Sequence, residues 1–242
     1  MFENRTYRNQ HRKKGLISFN VTVKETNLNI QAETDLANMA LKSVLDCRNK
    51  IETYIRFHPE FATSLVPVKN LFPVPDIITD MLEAGRLAQV GPMAAVAGAV
   101  AEFTGTMLLG YTREVIVENG GDIFIKSDSD TVFSIYAKDS PFSMTTGIRI
   151  KKRNTPYGLC TSSGTFGHSK SFGRADAATI LSDSCPLADA VATKLGNMVK
   201  TGNDIKGAID TGKSIHGVQG IVIIIGENIG LWGDLTLVTL PP

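Results

Sequence analysis

The pattern of apolar and polar positions changes its period several times along this 242-residue chain. Residues 16–30 alternate apolar and polar side chains on both sides of Glu25-Thr26-Asn27, which predicts a β-hairpin. From residue 35 to residue 57 the apolar residues recur at helical spacing, so we predict one long amphipathic helix with Thr34 as its N-cap. The chain therefore opens with two strands and a helix.

Prolines and small residues are characteristic of residues 58–110. Residues 58–75 contain four prolines and are predicted to hold no regular helix, whereas a short helix is expected over residues 76–88. The run from Gly91 to Gly110 is apolar except for Glu102. Its content is mostly Ala and Gly and it carries a carboxylate, so we interpret it as a buried core helix and not as a membrane span.

The second half of the chain returns to the alternating, β-branched patterns of strands. Because strands and helices cluster and do not strictly alternate, the order favours an α+β fold with antiparallel sheets and packed helices. The predicted elements are a meander over residues 114–118, 122–126, 132–137 and 146–150, a strand over 177–182, a helix from Pro186, a weaker helix over 204–214, and a final hairpin of 221–225 with 231–240.

Composition and charge narrow the class of protein. With 25 basic and 24 acidic residues the net charge is +1, which gives no electrostatic case for binding nucleic acid or an anionic membrane. Residues 1–14 form a basic segment, which we expect to be a solvated arm on a single domain over residues 1–242. No secretory signal follows this arm, and the three cysteines form no CxxC pair, so a cytoplasmic protein with reduced thiols is expected.

The helix that begins near Pro186 carries the first candidate site. Asp189, Thr193 and Asn197 recur every four residues and therefore lie on one face of an otherwise apolar helix. Oxygen ligands in such a row suit Mg²⁺, which fills its other positions with water and phosphate. The alternative is structural: an acidic residue favoured by the helix dipole, with the other two side chains capping or solvated.

Glycine-containing motifs supply two further candidates. Asn119-Gly120-Gly121-Asp122 lies between two predicted strands and is a strong hairpin signal, while its second glycine would also let a ligand approach the backbone. Gly91, Gly98 and Gly105 are seven residues apart. They indicate close helix packing, and the alternative is that the free amides after Gly91 bind a phosphate.

The loop from Cys160 to His168 is rich in hydroxyls and glycines. Such loops bind ligands, but the same composition is typical of ordinary turns. His168 is either a general base or nucleotide contact, or a solvated loop residue. Cys185, just before a helix, has no histidine partner close in sequence, which weighs against a cysteine nucleophile.

Taken in order, these motifs resemble those of the ApbE-like flavin-transferase superfamily. The similar segments are Asn-Gly-Gly-Asp after a strand, Thr-Ser-Ser-Gly, and a short strand running into Leu-Ala-Asp-Ala-Val-Ala-Thr. An uncharacterised cytoplasmic branch of the superfamily has a segment similar to the run Gly-Pro-Met-Ala-Ala-Val-Ala-Gly-Ala-Val-Ala-Glu. The resemblance to that branch extends over nearly the whole chain. The resemblance implies an ApbE-like fold related to the T-fold, and FMN transfer from FAD to a protein threonine.

The resemblance also implies roles for individual residues. Asp189 and Thr193 would be ligands of Mg²⁺, and FAD or FMN would lie against Gly120, Gly121, Asp122, Thr161, Ser162 and Gly164. Characterised relatives carry a His-x-x-Asp-Pro segment before the Asp/Thr helix. This chain has His168 and Asp176 in that interval, at a different spacing and without the proline, and they are its candidate catalytic residues.

Three classes of function stay open at this point. The first is a magnesium-dependent flavin enzyme that transfers FMN or cleaves the FAD pyrophosphate, with an acceptor protein as partner. The second is a noncatalytic carrier of flavin or another nucleotide. The third is a partner protein in sulfur or redox metabolism, a context that the resemblance implies, with Cys185 or the basic arm as its contact.

Overall fold

The fold is described from a computed structural model that covers residues 13–70, 72–164 and 173–241. Its strands and helices cluster along the chain, as expected for the α+β class. The strands are β1 (Ile17–Val23), β2 (Thr26–Ala32), β3 (Val115–Asn119), β4 (Asp122–Lys126), β5 (Thr131–Ser134), β6 (Thr146–Ile150), β7 (Tyr157–Ser162), β8 (Ala177–Ser182), β9 (Val218–Ile225), β10 (Asn228–Gly233) and β11 (Thr236–Thr239).

Two antiparallel sheets form the framework. The large sheet has eight strands in the order β1-β2-β3-β4-β7-β8-β9-β10, and the small sheet has three in the order β11-β6-β5. One apolar core lies between the helices and the large sheet, and it includes Leu28, Ile30, Ile78 and Ile180. A second core joins the other face of the large sheet to the small sheet through residues such as Ile125, Ile148 and Tyr157. The fold therefore has three layers: helices, large sheet and small sheet.

Six α-helices lie within the described residues. They are α1 (Ala37–Phe57), α2 (Pro59–Thr63), α3 (Asp76–Ala88), α4 (Val96–Leu108), α5 (Cys185–Met198) and α6 (Ile205–Lys213). A short 3-10 turn, Pro92–Ala95, precedes α4. Helix α5 packs against β7, β8, α3 and α4, so it is central in the helical layer. Ser184 caps its N-terminus by accepting a hydrogen bond from the Leu187 N–H at 3.3 Å.

Several predictions from the sequence are confirmed. The first hairpin, the helix over residues 76–88 and the strand over 177–182 have the expected positions. The α+β architecture of antiparallel sheets and packed helices is also confirmed. Lys13, at the end of the basic segment, is bonded to Glu114 and Ser127, so this part of the arm is attached to the fold. The rest of the arm, residues 1–12, lies outside the described residues.

Other predictions were wrong in detail. Thr34 does not cap α1, because that helix begins two residues later than predicted and Asp35 accepts the N–H of Ala37 at 2.9 Å. The proline segment does contain a short helix, α2, with Pro59 at its first position, where the missing N–H costs nothing. The meander is divided: β4 pairs with β7, and β5 and β6 belong to the small sheet.

The final hairpin differs in the same way. Strands β9 and β10 pair as expected, but β11 continues into the small sheet beside β6. No single helix in the described part of the chain is long and apolar enough to cross a membrane. Helix α3 and the helical run Pro92–Leu108 have the length and apolar composition of a membrane span only when they are taken together, and the chain bends by 107° between them.

Candidate functional site

A cavity of about 570 Å³ opens at the end of the large sheet where β3 turns into β4. The strand registers place Leu28, Asn119, Asp122 and Cys160 in one row across the sheet. Beyond this row, toward the β3–β4 turn, lie Thr26 on β2 and Ser162 on β7, which both line the cavity. With a strand spacing of about 4.8 Å, three spacings put these two residues about 14 Å apart. The cavity is therefore long enough for an extended ligand.

Helix α5 places Asp189 and Thr193 in the cavity wall above β7. The helix follows β7 along its length: a methyl group at Gly158 would meet the Cα of Cys185, and one at Gly196 would meet the Ser162 side chain. Asp189 and Thr193 lie between these two contacts, one helical turn apart and on the same face. The structure thus brings the predicted carboxylate and hydroxyl to one surface.

Asp189 is also bound to the start of α4. Its Oδ2 accepts a hydrogen bond from the Gly98 N–H at 2.9 Å, and only 9% of the residue is exposed. Burial raises the pKa of Asp189 to about 7, and the N–H groups of Gly98 and Ala97 oppose this shift. The carboxylate therefore satisfies one of the amides that a helix leaves unpaired in its first turn. Asp189 thus has a structural contact with a neighbouring helix, and a carboxylate has further lone pairs to offer a ligand.

A second carboxylate makes the reciprocal contact. Glu102 on α4 accepts the N–H of Cys185, the first residue of α5, at 2.6 Å. Burial raises the pKa of Glu102 to about 7, the hydrogen bond from Cys185 lowers it, and the charge of Asp80 raises it. Helices α4 and α5 therefore each supply an acceptor to the N-terminal turn of the other.

Small residues permit this approach. A methyl group at Gly98 would lie 2.4 Å from the carbonyl oxygen of Cys185, and one at Gly105 would lie 2.1 Å from the Phe124 ring. Gly91 serves the same purpose against the backbone of Ser64. The spacing of these glycines is accordingly explained by close packing.

The Asn119-Gly120-Gly121-Asp122 motif forms the tight turn that closes one side of the cavity. Gly120 and Gly121 have φ values of +77° and +141°, a backbone conformation that favours glycine. The carbonyl oxygen of Gly121 accepts the N–H of Thr161 at 3.1 Å, which ties the turn to β7. The Asn119 side chain donates to the Ala97 carbonyl oxygen at 3.1 Å and joins the turn to α4.

Hydroxyl groups from β7 and β8 continue this polar surface. The Thr161 and Thr179 hydroxyls are 2.9 Å apart, and both residues line the cavity with Ser162 and Ser163. Together with Asp122, Asp189 and Thr193 they form what we call the α5 end of the cavity. Its donors and acceptors are oxygen atoms and backbone amides, which suit a hard cation and the oxygens of a phosphate.

The opposite end of the cavity is formed by the first hairpin and α1, and we call it the Arg48 end. The guanidinium of Arg48 donates to Thr26 at 2.9 Å, to Glu25 at 2.7 Å and to Glu52 at 2.8 Å. Sequence reasoning missed this residue. In the sequence, Arg48 is a basic residue among the apolar positions of a long amphipathic helix. Such a residue usually lies on the solvated face of the helix, so it was not singled out.

Apolar walls connect the two ends. One wall comes from α1 and the segment around the start of α4, and the other comes from the small sheet and its neighbours. The residues are Ile51, Ile55, Met93, Val96 and Val100 on the first wall, and Ile123, Phe133, Ile135, Ile148 and Leu159 on the second. Such a cavity suits a ligand with a flat apolar part and polar groups at its ends.

Not every predicted site residue reaches the cavity. Gly91 lies against Ser64 and is absent from the lining, and the Gly98 amide in the first turn of α4 binds Asp189. Gly164 donates its N–H to Ala175 at 2.9 Å and is absent from the lining, although its neighbour Ser163 is present. Asp176 accepts the N–H of Gly226 at 2.7 Å, which is a structural contact outside the lining. His168 lies outside the described residues.

Cys185 does not fit the role of a surface contact. It is fully buried, its sulfur lies 3.4 Å from that of Cys160, and burial raises the pKa of its thiol to about 11. The hypothesis of a partner protein in sulfur or redox metabolism therefore loses its support, as far as it depends on Cys185 as the contact.

The donor set at the α5 end fits a divalent cation of the magnesium type. Within the described residues no three His, Cys, Asp or Glu side chains converge as a protein-only metal cage. One buried carboxylate and a hydroxyl on the next helical turn match instead the sparse protein ligation of Mg²⁺, which takes its other oxygens from water and phosphates.

Sequence comparison identifies the relatives of this chain. A family model described as AbpE bacteria matches residues 8–231. A UPF0280 protein of Methanococcus aeolicus is 39% identical over 226 residues, which cover 91% of each chain. A UPF0280 protein of Methanococcoides burtonii is 38% identical over 220 residues, covering 90% of this chain and 92% of the relative.

Comparison with solved structures gives the same fold at low sequence identity. The flavin transferase ApbE of Vibrio cholerae has a TM-score of 0.58 at 12% identity, over 90% of this chain and 97% of that one. The ApbE protein of Thermotoga maritima has a TM-score of 0.55 at 14% identity, over 89% and 96%. These matches confirm the resemblance to ApbE-like proteins and the ApbE-like architecture.

Proposed function

The chain belongs to the family described as AbpE bacteria, and from this premise we propose that its cavity binds FAD with a divalent cation and cleaves the diphosphate to transfer FMN. The single observation that carries the proposal is the α5 end of the cavity. There Asp189 and Thr193 lie on one helical face, opposite the β3–β4 turn and the hydroxyls of β7 and β8.

The charges of the cavity support a cation. Five carboxylates, from Glu25, Glu52, Glu118, Asp122 and Asp189, stand against the one guanidinium of Arg48 among the described lining residues. A diphosphate entering this cavity meets repulsion unless a cation accompanies it. Asp189 and Thr193 would hold that cation, with Asp122, which also lines the cavity, as a candidate for a further oxygen ligand.

The reaction breaks the phosphoanhydride bond of FAD. The oxygen of an acceptor hydroxyl forms a bond to the flavin-side phosphorus while its proton passes to water, the bond from that phosphorus to the bridging oxygen breaks, and AMP leaves with the bridging oxygen. With water as acceptor, the products are FMN and AMP. A bound divalent cation would supply neutralisation of the diphosphate and of the charge that develops on the leaving phosphate.

The residues of the chain have the remaining tasks. Gly120 and Gly121, whose positive φ values favour glycine, carry no side chains, so a diphosphate can approach the backbone of the turn. Thr161, Thr179 and Ser162 offer hydroxyls to phosphate and ribose oxygens. The apolar walls exclude water from the flat part of the ligand, which strengthens the electrostatic interactions at the α5 end.

The test is a product assay with FAD and Mg²⁺. We expect AMP by chromatography, together with free FMN or an FMN adduct detected by mass spectrometry when an acceptor polypeptide is added. Asp189→Asn should abolish the product, and Asp210→Asn on α6, whose carboxylate pairs with Lys206 at 2.8 Å away from the cavity lining, should leave it unchanged. Binding of FAD without any AMP would refute the transferase proposal and leave a flavin carrier.

A further inference from the structure

The guanidinium group at the Arg48 end of the cavity has hydrogen-bond donors without acceptors in the part of the chain that the structure describes. Three N–H···O contacts engage the two terminal nitrogens of Arg48, with Thr26, Glu25 and Glu52. Its Nε is buried and has no acceptor among the described residues. A guanidinium has five N–H donors and these contacts use three of them, so an oxygen or ring nitrogen that reaches Arg48 from the cavity that it lines gains a strong, charge-assisted hydrogen bond.

The surface beside Arg48 is suited to a flat ring. Arg48, Ile51, Glu52 and Ile55 follow a three-to-four-residue spacing, and all four line the cavity, so a single stripe of α1 faces it. The stripe carries two isoleucines next to the guanidinium. A planar ring system can lie on the isoleucines with one polar edge at Arg48.

The chemistry of that edge follows from the donors and acceptors present. A guanidinium only donates hydrogen bonds, so the edge of a ligand that meets Arg48 carries acceptors. The pyrimidine side of a flavin ring presents two carbonyl oxygens on either side of one N–H donor, whereas adenine has no carbonyl oxygen and presents an amino donor beside one ring-nitrogen acceptor.

The spacing agrees with this arrangement. Arg48 is bonded to Thr26, and Thr26 lies about 14 Å across the sheet from Ser162 at the α5 end, by three strand spacings. A ligand with a diphosphate at the α5 end and a ring at the Arg48 end would bridge the two. We propose that Arg48 is a specificity-determining residue that recognises the carbonyl edge of the flavin ring, an inference that rests on the proposed function.

Fragments of FAD separate the two ends of the cavity in an experiment. Riboflavin carries the ring without a phosphate, and ADP carries the diphosphate without the flavin. Each is titrated as a competitor of FAD in the presence of Mg²⁺, against the parent protein, Arg48→Met, Arg48→Lys and the control Arg86→Met. Arg86 is an exposed arginine of α3 that pairs with Glu83 at 2.6 Å, so its loss removes a helical ion pair away from the cavity lining.

We expect Arg48→Met to weaken riboflavin and FAD at least tenfold while ADP changes by less than twofold. Arg48→Lys should show an intermediate loss, because lysine keeps the charge but loses the planar fork. Should the methionine variant fail to fold, the lysine variant decides, with the same pattern expected. Arg86→Met should match the parent for all three compounds.

Other results would overturn the inference. Equal losses for riboflavin and ADP, a loss for ADP alone, or unchanged binding of all three in a folded Arg48 variant would show that Arg48 does not recognise the ring. If the parent protein binds neither FAD nor its fragments, the proposed function itself fails. The two failures are therefore distinguishable.

Discussion

Asp189 Oδ2 accepts the backbone N–H of Gly98 at 2.9 Å, so one carboxylate links α5 to the first turn of α4. The same residue lines the cavity together with Thr193. Asp189 therefore combines a structural contact with α4 and a candidate role as a cation ligand. Substitutions that keep or remove the hydrogen bond separate the two roles.

Asparagine and alanine at position 189 should differ in stability. Asp189→Ala leaves the Gly98 N–H without its acceptor and should lower the free energy of unfolding by about 1–3 kcal/mol. Asp189→Asn keeps a carbonyl oxygen at that place and should remain closer to the parent. Urea denaturation measures both, and equal losses in the two variants would show that the hydrogen bond contributes nothing.

The features of this site that depend on residues close in the chain could be predicted from the sequence, but the way in which distant segments come together could not. The four-residue spacing of Asp189 and Thr193 and the turn at Gly120 and Gly121 follow from neighbours in the chain, so they were predictable. Arg48 was missed because only tertiary packing, of α1 on α4 and on the first hairpin, brings it to the same cavity as the β3–β4 turn.

The sheet to which each strand belongs could not be predicted either, because it also depends on tertiary packing. The alternation of residues 131–134 and 236–239 predicts strands, yet nothing in their pattern specifies that both join a separate sheet through β6. Pairing across so many residues depends on which faces are buried together. The Gly98 contact was foreseen only as close packing, since its partner lies on another helix.

Gly98 itself should tolerate no side chain. A methyl group there would meet the Cys185 carbonyl oxygen at 2.4 Å and the Cβ of Asp189 at 2.9 Å. Gly98→Ala should therefore lower the free energy of unfolding by about 1–3 kcal/mol through overpacking. The matched control is Gly207→Ala on α6, where no atom lies within 4 Å of the added carbon and the helix should gain about 0.5–1 kcal/mol. Destabilisation of similar size in both variants would contradict the packing argument.

Glu102 should make the stability of the protein depend on pH. Its pKa rises from 4.5 to about 7 on folding, mainly through burial, so the folded state holds the proton more tightly than the unfolded state. The free energy of unfolding should fall as pH rises from about 4.5 to about 7, by about 3 kcal/mol from this residue. Buried Asp189 acts in the same direction.

Glu102→Gln isolates this contribution. The amide oxygen can still accept the Cys185 N–H, but the residue no longer ionises. Denaturation curves at pH 5, 6, 7 and 8 should show a clearly smaller fall in stability for the variant, with a slope from Asp189 remaining. An unchanged slope would mean that Glu102 does not titrate in this range.

The three cysteines should be unreactive in the folded protein. All are buried, and burial raises the pKa of Cys47 and Cys185 to about 11. Since the thiolate is the reactive form, a thiol reagent should modify them only after denaturation. Titration with an aromatic disulfide under native and denaturing conditions measures this. A rapid native reaction at Cys185 would restore it as a partner contact.

The hydroxyl of Thr193 should contribute to cation binding without supporting the fold. Thr193→Val keeps the branched shape and removes the oxygen. The affinity for Mg²⁺ in the presence of ADP should fall several-fold, while the thermal midpoint stays near that of the parent. A calorimetric titration with unchanged Mg²⁺ affinity would remove Thr193 from the proposed ligands.

The most direct test of the central claim is the affinity for FAD with Mg²⁺ and with a chelator. Because five carboxylates line the cavity, FAD should bind the parent protein at least tenfold more tightly with Mg²⁺. Asp189→Asn should lose this dependence while keeping its fold. Equal FAD affinity with and without Mg²⁺ in the parent protein would contradict a cation-assisted flavin site at Asp189 and Thr193.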